Sequence, residues 1–248
     1  MDPRNALQDF HRGDLNSAHL LRALVTHGHW RMLSQEEDGR HRPLLRMVDD
    51  ERWLQLFTDD AAMREHLATV GPDAQAPGWV ETTGEWIFGN LGEDLAGVDI
   101  NPQLPEAVHY GRDQLEMLRA WSRALAVERA LRDQTGDADT VTLLSEARYQ
   151  LAFIEDAPGQ AQLALAPDPQ GRQLVAVFTA PDAAVTFVEA AGRALGKAIK
   201  LQEVPGHRLF PQLGRMSIDG IVFNCLGPVD PVAVGLSFTQ AFPSQEPS

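Results

Sequence analysis

Four of the five histidines in the first fifth of the chain are the first residues that could do chemistry. His27 and His29 flank Gly28, and His19 and His41 lie on either side of them. A zinc site needs three converging ligands, which are in turn held by further hydrogen bonds. The strand expected after Gly28 would send His27 and His29 in different directions. We therefore favour histidines that support a helix end, and we predict no metal and no cofactor.

The single cysteine, Cys225, is the candidate nucleophile. A thiol needs a neighbouring base or a positive setting to become a thiolate, and no histidine is close to Cys225 in the sequence. We predict a buried, apolar side chain at a strand end. One cysteine allows neither an internal disulfide nor a multi-thiolate zinc site, which favours a cytoplasmic protein. The sequence also contains no nucleophile elbow, P-loop or dinucleotide fingerprint.

Adjacent carboxylates offer a third kind of chemistry. The pairs are Asp49-Asp50, Asp59-Asp60 and Glu93-Asp94. Glycosidase-type catalysis needs two carboxylates that face each other across a cleft and have separated pKa values. Positions in turns and at a helix cap explain these pairs without catalysis, so we predict that the protein is not an enzyme. The alternative is a small-molecule hydrolase or transferase that gathers histidines and carboxylates in a groove between domains.

One charge feature remains, because the chain has no Lys or Arg between Arg64 and Arg112. A negative surface attracts a basic partner, and an exposed tryptophan is a typical interface anchor. We therefore predict a face that binds a basic protein. Its residues are Glu81, Glu85, Trp86, Glu93, Asp94, Asp99 and Glu106. The alternative interpretation is a solvated surface without a partner.

The elements that must position these residues occur twice. The stretch from Gly84 to Gly92, GEWIFGNLG, returns as GHRLFPQLG from Gly206 to Gly214. A strand ending in Phe-Thr precedes each copy, and a Gly-x-x-x-Asn segment follows it. The spacing between copies is about 121–123 residues, which indicates two whole domains rather than a solenoid. Copy two carries Lys and Arg where copy one carries only acids, so the fold does not require the acidic bias.

Each copy shows short strands interleaved with a few helices. This order predicts an α+β fold with two similar domains, each a mixed or antiparallel sheet with helices packed on one face. We place the domains at residues 14–133 and 139–243. We expect residues 1–13 to be loose, a loop at 71–78, a final helix near 231–242 and a frayed tail at 243–248.

Composition excludes several classes of partner. The chain of 248 residues has a formal net charge of −14, which disfavours nucleic acid and anionic membrane surfaces. No apolar run approaches the length that spans a bilayer. Hydrophobic residues make up 44%, which is sufficient for two cores. A further interpretation is dimerisation through the apolar side of the helix predicted at 112–132.

The repeated segments resemble the SseB-like domain, a bacterial family named after an enhanced-serine-sensitivity protein. The segments are Leu56-Phe57-Thr58 and Gly97–Pro102 in copy one, and Val177-Phe178-Thr179 and Gly220–Asn224 in copy two, where Cys225 replaces the proline. The resemblance implies α+β modules with no established catalytic residues, found with secretion systems or with toxin and immunity genes. It therefore implies a binding protein whose partner is a secreted effector or a toxin.

Overall fold

A computed structural model describes residues 1–70, 78–133, 136–157, 160–166, 168–227 and 229–242. The chain divides into two compact units, Met1–Arg123 and Ala124–Ser248. This division falls inside a helix, whereas the domain boundary predicted from the sequence follows that helix at residues 133–139. The predicted tail and, except for Gly78, the predicted loop at 71–78 lie outside the described residues.

The first unit contains one sheet and the helices around it. Its helices are α1 (Pro3–Arg12), α2 (Ser17–Thr26), α3 (Asp60–Val70), α4 (Gly84–Gly89) and the start of α5 (Arg112–Asp133). Its strands are β1 (Trp30–Glu37), β2 (Arg40–Pro43), β3 (Leu45–Val48), β4 (Glu51–Phe57), β5 (Gly78–Thr82), β6 (Leu95–Ile100) and β7 (Val108–Gly111). The strand order is β2-β1-β4-β6-β7, with β5 on β1 and β3 on β4. Among the described strands of this unit, only β4 and β6 pair in parallel.

The second unit repeats this plan. After the end of α5 come the helices α6 (Ala138–Glu146), α7 (Pro181–Leu195) and α8 (Gly206–Leu213). Its strands are β8 (Arg148–Ala157), β9 (Gln160–Leu163), β10 (Leu165–Ala166), β11 (Leu174–Phe178), β12 (Ala198–Pro205), β13 (Gly220–Phe223) and β14 (Val232–Gly235). The order β12-β8-β11-β13-β14, with β9 on β8, β10 on β11 and a parallel β11–β13 pair, matches the first sheet strand for strand. The α+β class and the two similar domains are confirmed.

The helices, however, cover both faces of the sheet rather than one. Alternating residues of β11 belong to two separate cores, with Val175 and Val177 on one face and Ala176 and Phe178 on the other. The first face packs against α6, α8 and the end of α5, and the second packs against α7. Because β11 is buried on both faces, it is a continuous apolar run, as central parallel strands usually are.

Two segments differ from the sequence prediction. Residues 1–13 are not loose, because Pro3–Arg12 forms α1 and buries Ala6 and Leu7. Asp2 caps this helix and Gly13 ends it in the left-handed conformation, so both signals were present in the sequence. The predicted final helix near 231–242 is instead β14 followed by a 3₁₀ helix, Leu236–Ala241. The strand forms because Val232–Gly235 completes the sheet edge beside β13.

The glycines that open the repeated motif have a shared packing role. A Cβ on Gly84 would collide with the Leu24 carbonyl oxygen at the end of α2, and one on Gly206 would collide with that of Leu144 at the end of α6. The same two carbonyls accept hydrogen bonds from Trp30 Nε1 and Tyr149 Oη, each at 3.0 Å. The glycine is repeated because α2 approaches α4, and α6 approaches α8, too closely for any side chain at this position.

The asparagines that end the other repeated segment form a second shared device. Asn101 and Asn224 both have positive φ, 47° and 55°. Each amide oxygen accepts from the backbone N–H of Thr58 or Thr179 at 3.0 Å. Each amide nitrogen donates to the hydroxyl of the same threonine. The Phe-Thr and Gly-x-x-x-Asn signatures therefore encode a clamp between the ends of the two parallel strands.

Candidate functional site

The histidines expected at the helix end have structural partners. His27 is half-buried, and its Nε2 lies 3.0 Å from the Thr58 carbonyl, to which it donates. Burial lowers the pKa of His27. His29 is exposed and pairs through Nδ1 with Glu81 at 2.7 Å. Within the described residues, no group of three or more His, Cys, Asp or Glu side chains could hold a metal ion.

The other candidate chemistries have local explanations. Cys225 is buried, as predicted, and burial raises the pKa of its thiol to about 11, so the thiolate is disfavoured. Asp49 and Asp50 occupy the turn between β3 and β4. Asp59 caps α3 by accepting from the Ala62 N–H at 2.7 Å, and Asp60 accepts from Arg31 Nε at 2.6 Å.

The seven residues of the predicted acidic face do not lie together. Glu81 projects from β5 on the α3 side of the sheet, where it pairs with His29 and Arg31. These hydrogen bonds, that from His29 first, lower the pKa of Glu81. The Arg31 guanidinium also stacks 4.7 Å above the ring of the exposed Trp79.

Two of the predicted acids are buried. Asp99, only 2% exposed, accepts from His109 Nδ1 at 2.6 Å and from Arg46 Nη1 at 3.3 Å. Glu106, 4% exposed, accepts from Arg4 Nε at 2.6 Å. The cations missing between residues 64 and 112 are therefore supplied by segments outside that stretch.

The remaining four residues share α4 and the turn after it, on the opposite side of the sheet. We call Glu85, Trp86, Glu93 and Asp94 the α4 surface. Trp86 is 57% exposed, while its neighbours in the helix, Ile87 and Phe88, are buried. Glu93 is exposed, and Asp94 forms an exposed ion pair with Arg52 at 2.7 Å.

The second unit carries different chemistry at the positions equivalent to the α4 surface. Aligning the bracketing glycines places His207 and Arg208 opposite Glu85 and Trp86, and Arg215 and Met216 opposite Glu93 and Asp94. Arg208, Arg215 and Met216 are all exposed. One helical turn is therefore acidic and aromatic in the first unit and basic in the second.

A second cluster, which the sequence analysis missed apart from Asp99, lies on the α3 side of the first sheet. We call it the polar face, and its residues are Arg46, Trp53, Gln55, His66, Asp99 and His109. Strand register fixes its geometry, because Gln55 pairs with Asp99 and Asp99 with His109. His66 on α3 lies against Phe57, with ring centroids 5.1 Å apart. Burial lowers the pKa of His66, whose Nδ1 donates to the Pro102 carbonyl at 3.1 Å.

Comparisons with known proteins add little to this description. No family model matches the chain, and no curated protein matches it, so the SseB-like resemblance stays a prediction. A search of solved structures returns Anabaena Tic22, described as protein transport, with 10% identity, a TM-score of 0.25, and coverage of 82% of this chain and 88% of that chain. At this score the similarity supports no transfer of structure or function. In the described part of the chain, no helix is both long enough and apolar enough to cross a bilayer.

Proposed function

We propose that the chain is a non-catalytic, cytoplasmic protein-binding module whose first domain docks a basic protein on the α4 surface. The observation that carries the proposal is the exposed indole of Trp86 on the same helix and following turn as Glu85, Glu93 and Asp94. Large aromatic side chains surrounded by charges are typical interface anchors, and the acids would speed the encounter with a positive partner. A secreted effector or a toxin is the partner that the SseB-like resemblance suggests.

The comparison between units supports this assignment. Glu85 and Trp86 correspond to His207 and Arg208, so the helical turn folds with either charge. Neither the half-buried Glu85 nor the exposed Trp86 belongs to the core, which is built from Ile87 and Phe88 in α4 and from Leu209 and Phe210 in α8. The fold therefore does not require an acid at position 85 or an aromatic residue at position 86, and both are available for recognition. Asp99 and Glu106 are buried against arginines, and Glu81 is held by both Arg31 and His29, so these three acids contribute less to an external partner.

The test is capture of partners from the native lysate on immobilised wild-type, Trp86→Ala and Trp79→Ala protein. Trp79 is the matched control, because it is an exposed tryptophan on the other side of the same sheet. We expect a basic protein that elutes as salt rises, with affinity at least about tenfold lower for Trp86→Ala and unchanged for Trp79→Ala. Equal loss in both variants, or affinity independent of salt, contradicts the proposal.

The second unit's basic turn offers a rival partner, which is another molecule of this chain. Sedimentation of the wild-type protein at low and high salt separates the two cases. Self-association that Glu93→Lys and Arg208→Glu each abolish would identify the partner as a second copy. A monomer at all salt concentrations leaves the external basic protein as the expected partner.

A further inference from the structure

The polar face of the first sheet has an apolar counterpart at each of its six positions in the second. Arg46 and Trp53 pair in register as Ala166 and Leu174 do. Gln55 and Asp99 correspond in the same way to Ala176 and Val222. His109, opposite Asp99, corresponds to Ala233, opposite Val222.

The sixth pair comes from the covering helix. His66 on α3 stacks on Phe57, and Phe187 on α7 stacks on Phe178 in the same position. In the second unit Ala166, Leu174, Ala176, Phe187 and Val222 form one buried core. The fold is thus complete with apolar residues at these positions, and replacing them with buried polar groups costs stability unless those groups have partners.

Two polar side chains on this face make no hydrogen bond within the described residues. Gln55 is 91% buried (9% exposed), and its side-chain amide makes no hydrogen bond there. Trp53 Nε1 is buried and donates to no acceptor. Buried polar groups are nearly always satisfied in native proteins, so the unsatisfied indole N–H of Trp53, next to the unbonded amide of Gln55, indicates a bound acceptor.

The two most exposed members of the face are both held by the buried Asp99. Asp99 is buried and holds Nδ1 of His109 and one guanidinium nitrogen of Arg46. The side chains of His109 and Arg46 are nonetheless 57% and 44% exposed. Because a carboxylate only accepts, His109 Nδ1 donates to Asp99.

We propose that the polar face is a binding site for a small oxyanion, the carboxylate or phosphate group of a ligand. Arg46 supplies the planar pair of donors that suits both groups, and the Gln55 amide and the Trp53 indole supply further donors beside it. Asp99 preorganises Arg46 and His109 and does not contact the ligand. The site lies on the opposite side of the sheet from the α4 surface and does not depend on it.

The test is a titration of the full-length ¹⁵N-labelled protein with inorganic phosphate and, separately, with acetate. The reporter is the indole N–H resonance of Trp53. The internal control is the indole of Trp30, which is buried on the other face and donates to Leu24. We expect a saturable shift at Trp53 with at least one anion and none at Trp30, and the tighter-binding anion identifies the ligand group.

Two variants decide the assignment. Arg46→Met should weaken binding at least about tenfold, because the bidentate donor is lost. Arg52→Met is the matched control, since Arg52 is an exposed arginine of the neighbouring strand that pairs with Asp94, and it should bind as wild type. No saturable shift with either anion, or equal binding by wild type and Arg46→Met, overturns the proposal. If Arg46→Met fails to fold, Gln55→Ala tests the proposal instead, and this variant should bind the anion more weakly than wild type.

Discussion

The two sheets share one topology but differ on the face that lies against α3 or α7. In the second unit this face is a sealed apolar core around Ala176 and Val222. In the first unit the equivalent positions hold Gln55 and a buried Asp99, with half-exposed Arg46 and His109 beside them. The duplicated fold therefore does not need these polar groups, and their presence in one copy points to a role other than folding.

The contacts that both units share show which residues the fold does require. The glycine under a helix end and the asparagine between the parallel strands occur in both copies with the same contacts. These are the residues that the backbone geometry requires, and they are also the residues that make the repeat visible in the sequence. Variants of the shared residues should therefore lower stability more than variants of the residues that differ between the units.

The largest effect is expected at the shared glycines. Gly84→Ala places a Cβ against the Leu24 carbonyl oxygen, which cannot move without shifting the end of α2. The free energy of unfolding should fall by about 3 kcal/mol. All five tryptophans lie in residues 1–123, so tryptophan fluorescence during urea unfolding reports on the first unit. Gly28→Ala, which meets nothing within 4 Å, is the control, and equal losses in both variants would contradict the packing role.

The asparagine clamps come next. Asn101→Ala should lower stability by about 2 kcal/mol, because it removes the bonds to Thr58 and leaves alanine at positive φ. Asn224→Ala should cost more, since the amide of Asn224 also donates to the buried Glu128 at 3.3 Å. Hydrogen exchange of the two sheets measures each effect separately. Asn101→Gly should be more stable than Asn101→Ala, because glycine adopts positive φ without strain. Equal stability of the two variants would show that backbone strain does not contribute to the loss.

A pH-dependent difference follows from His66. Because burial lowers its pKa in the folded state, the unfolded chain binds more protons as pH falls below the ordinary histidine value of about 6.5. Stability of the first unit should therefore fall as pH drops through that window. His66→Phe, which installs the residue of the second unit, should flatten the decline, with a remainder due to His27. Equal slopes of stability against pH in both proteins would contradict this explanation.

The smallest effect on stability is expected at the α4 surface. Asp94→Asn removes an ion pair with Arg52 in which both side chains are more than half exposed. Solvent screens such pairs, so the free energy of unfolding should change by less than about 0.5 kcal/mol. Urea unfolding followed by tryptophan fluorescence measures it. A larger loss would show that the α4 surface serves the fold rather than a partner.

The sequence predicted the architecture well because its signals are local or repeated. The turns between strands and the helix cap at the Asp59-Asp60 pair act within a few residues. The polar face could not be found in this way, because Arg46, Gln55, Asp99 and His109 come from four strands that only the register brings together. The cations that neutralise Glu81 and Glu106 likewise come from distant segments. Apolar Ala176 and Val222 opposite Gln55 and Asp99 were a usable signal once the repeat had been aligned.

The most direct measurement exchanges the polar face for its counterpart in the second unit. The variant carries Arg46→Ala, Gln55→Ala, Asp99→Val and His109→Ala together, and is compared with wild type by urea unfolding and by anion titration. If the polar face serves binding and not folding, the variant should be at least as stable as wild type. Phosphate and acetate should no longer shift its Trp53 indole N–H resonance. A first unit that unfolds in the variant, or one that still binds the anions with wild-type affinity, would contradict the account.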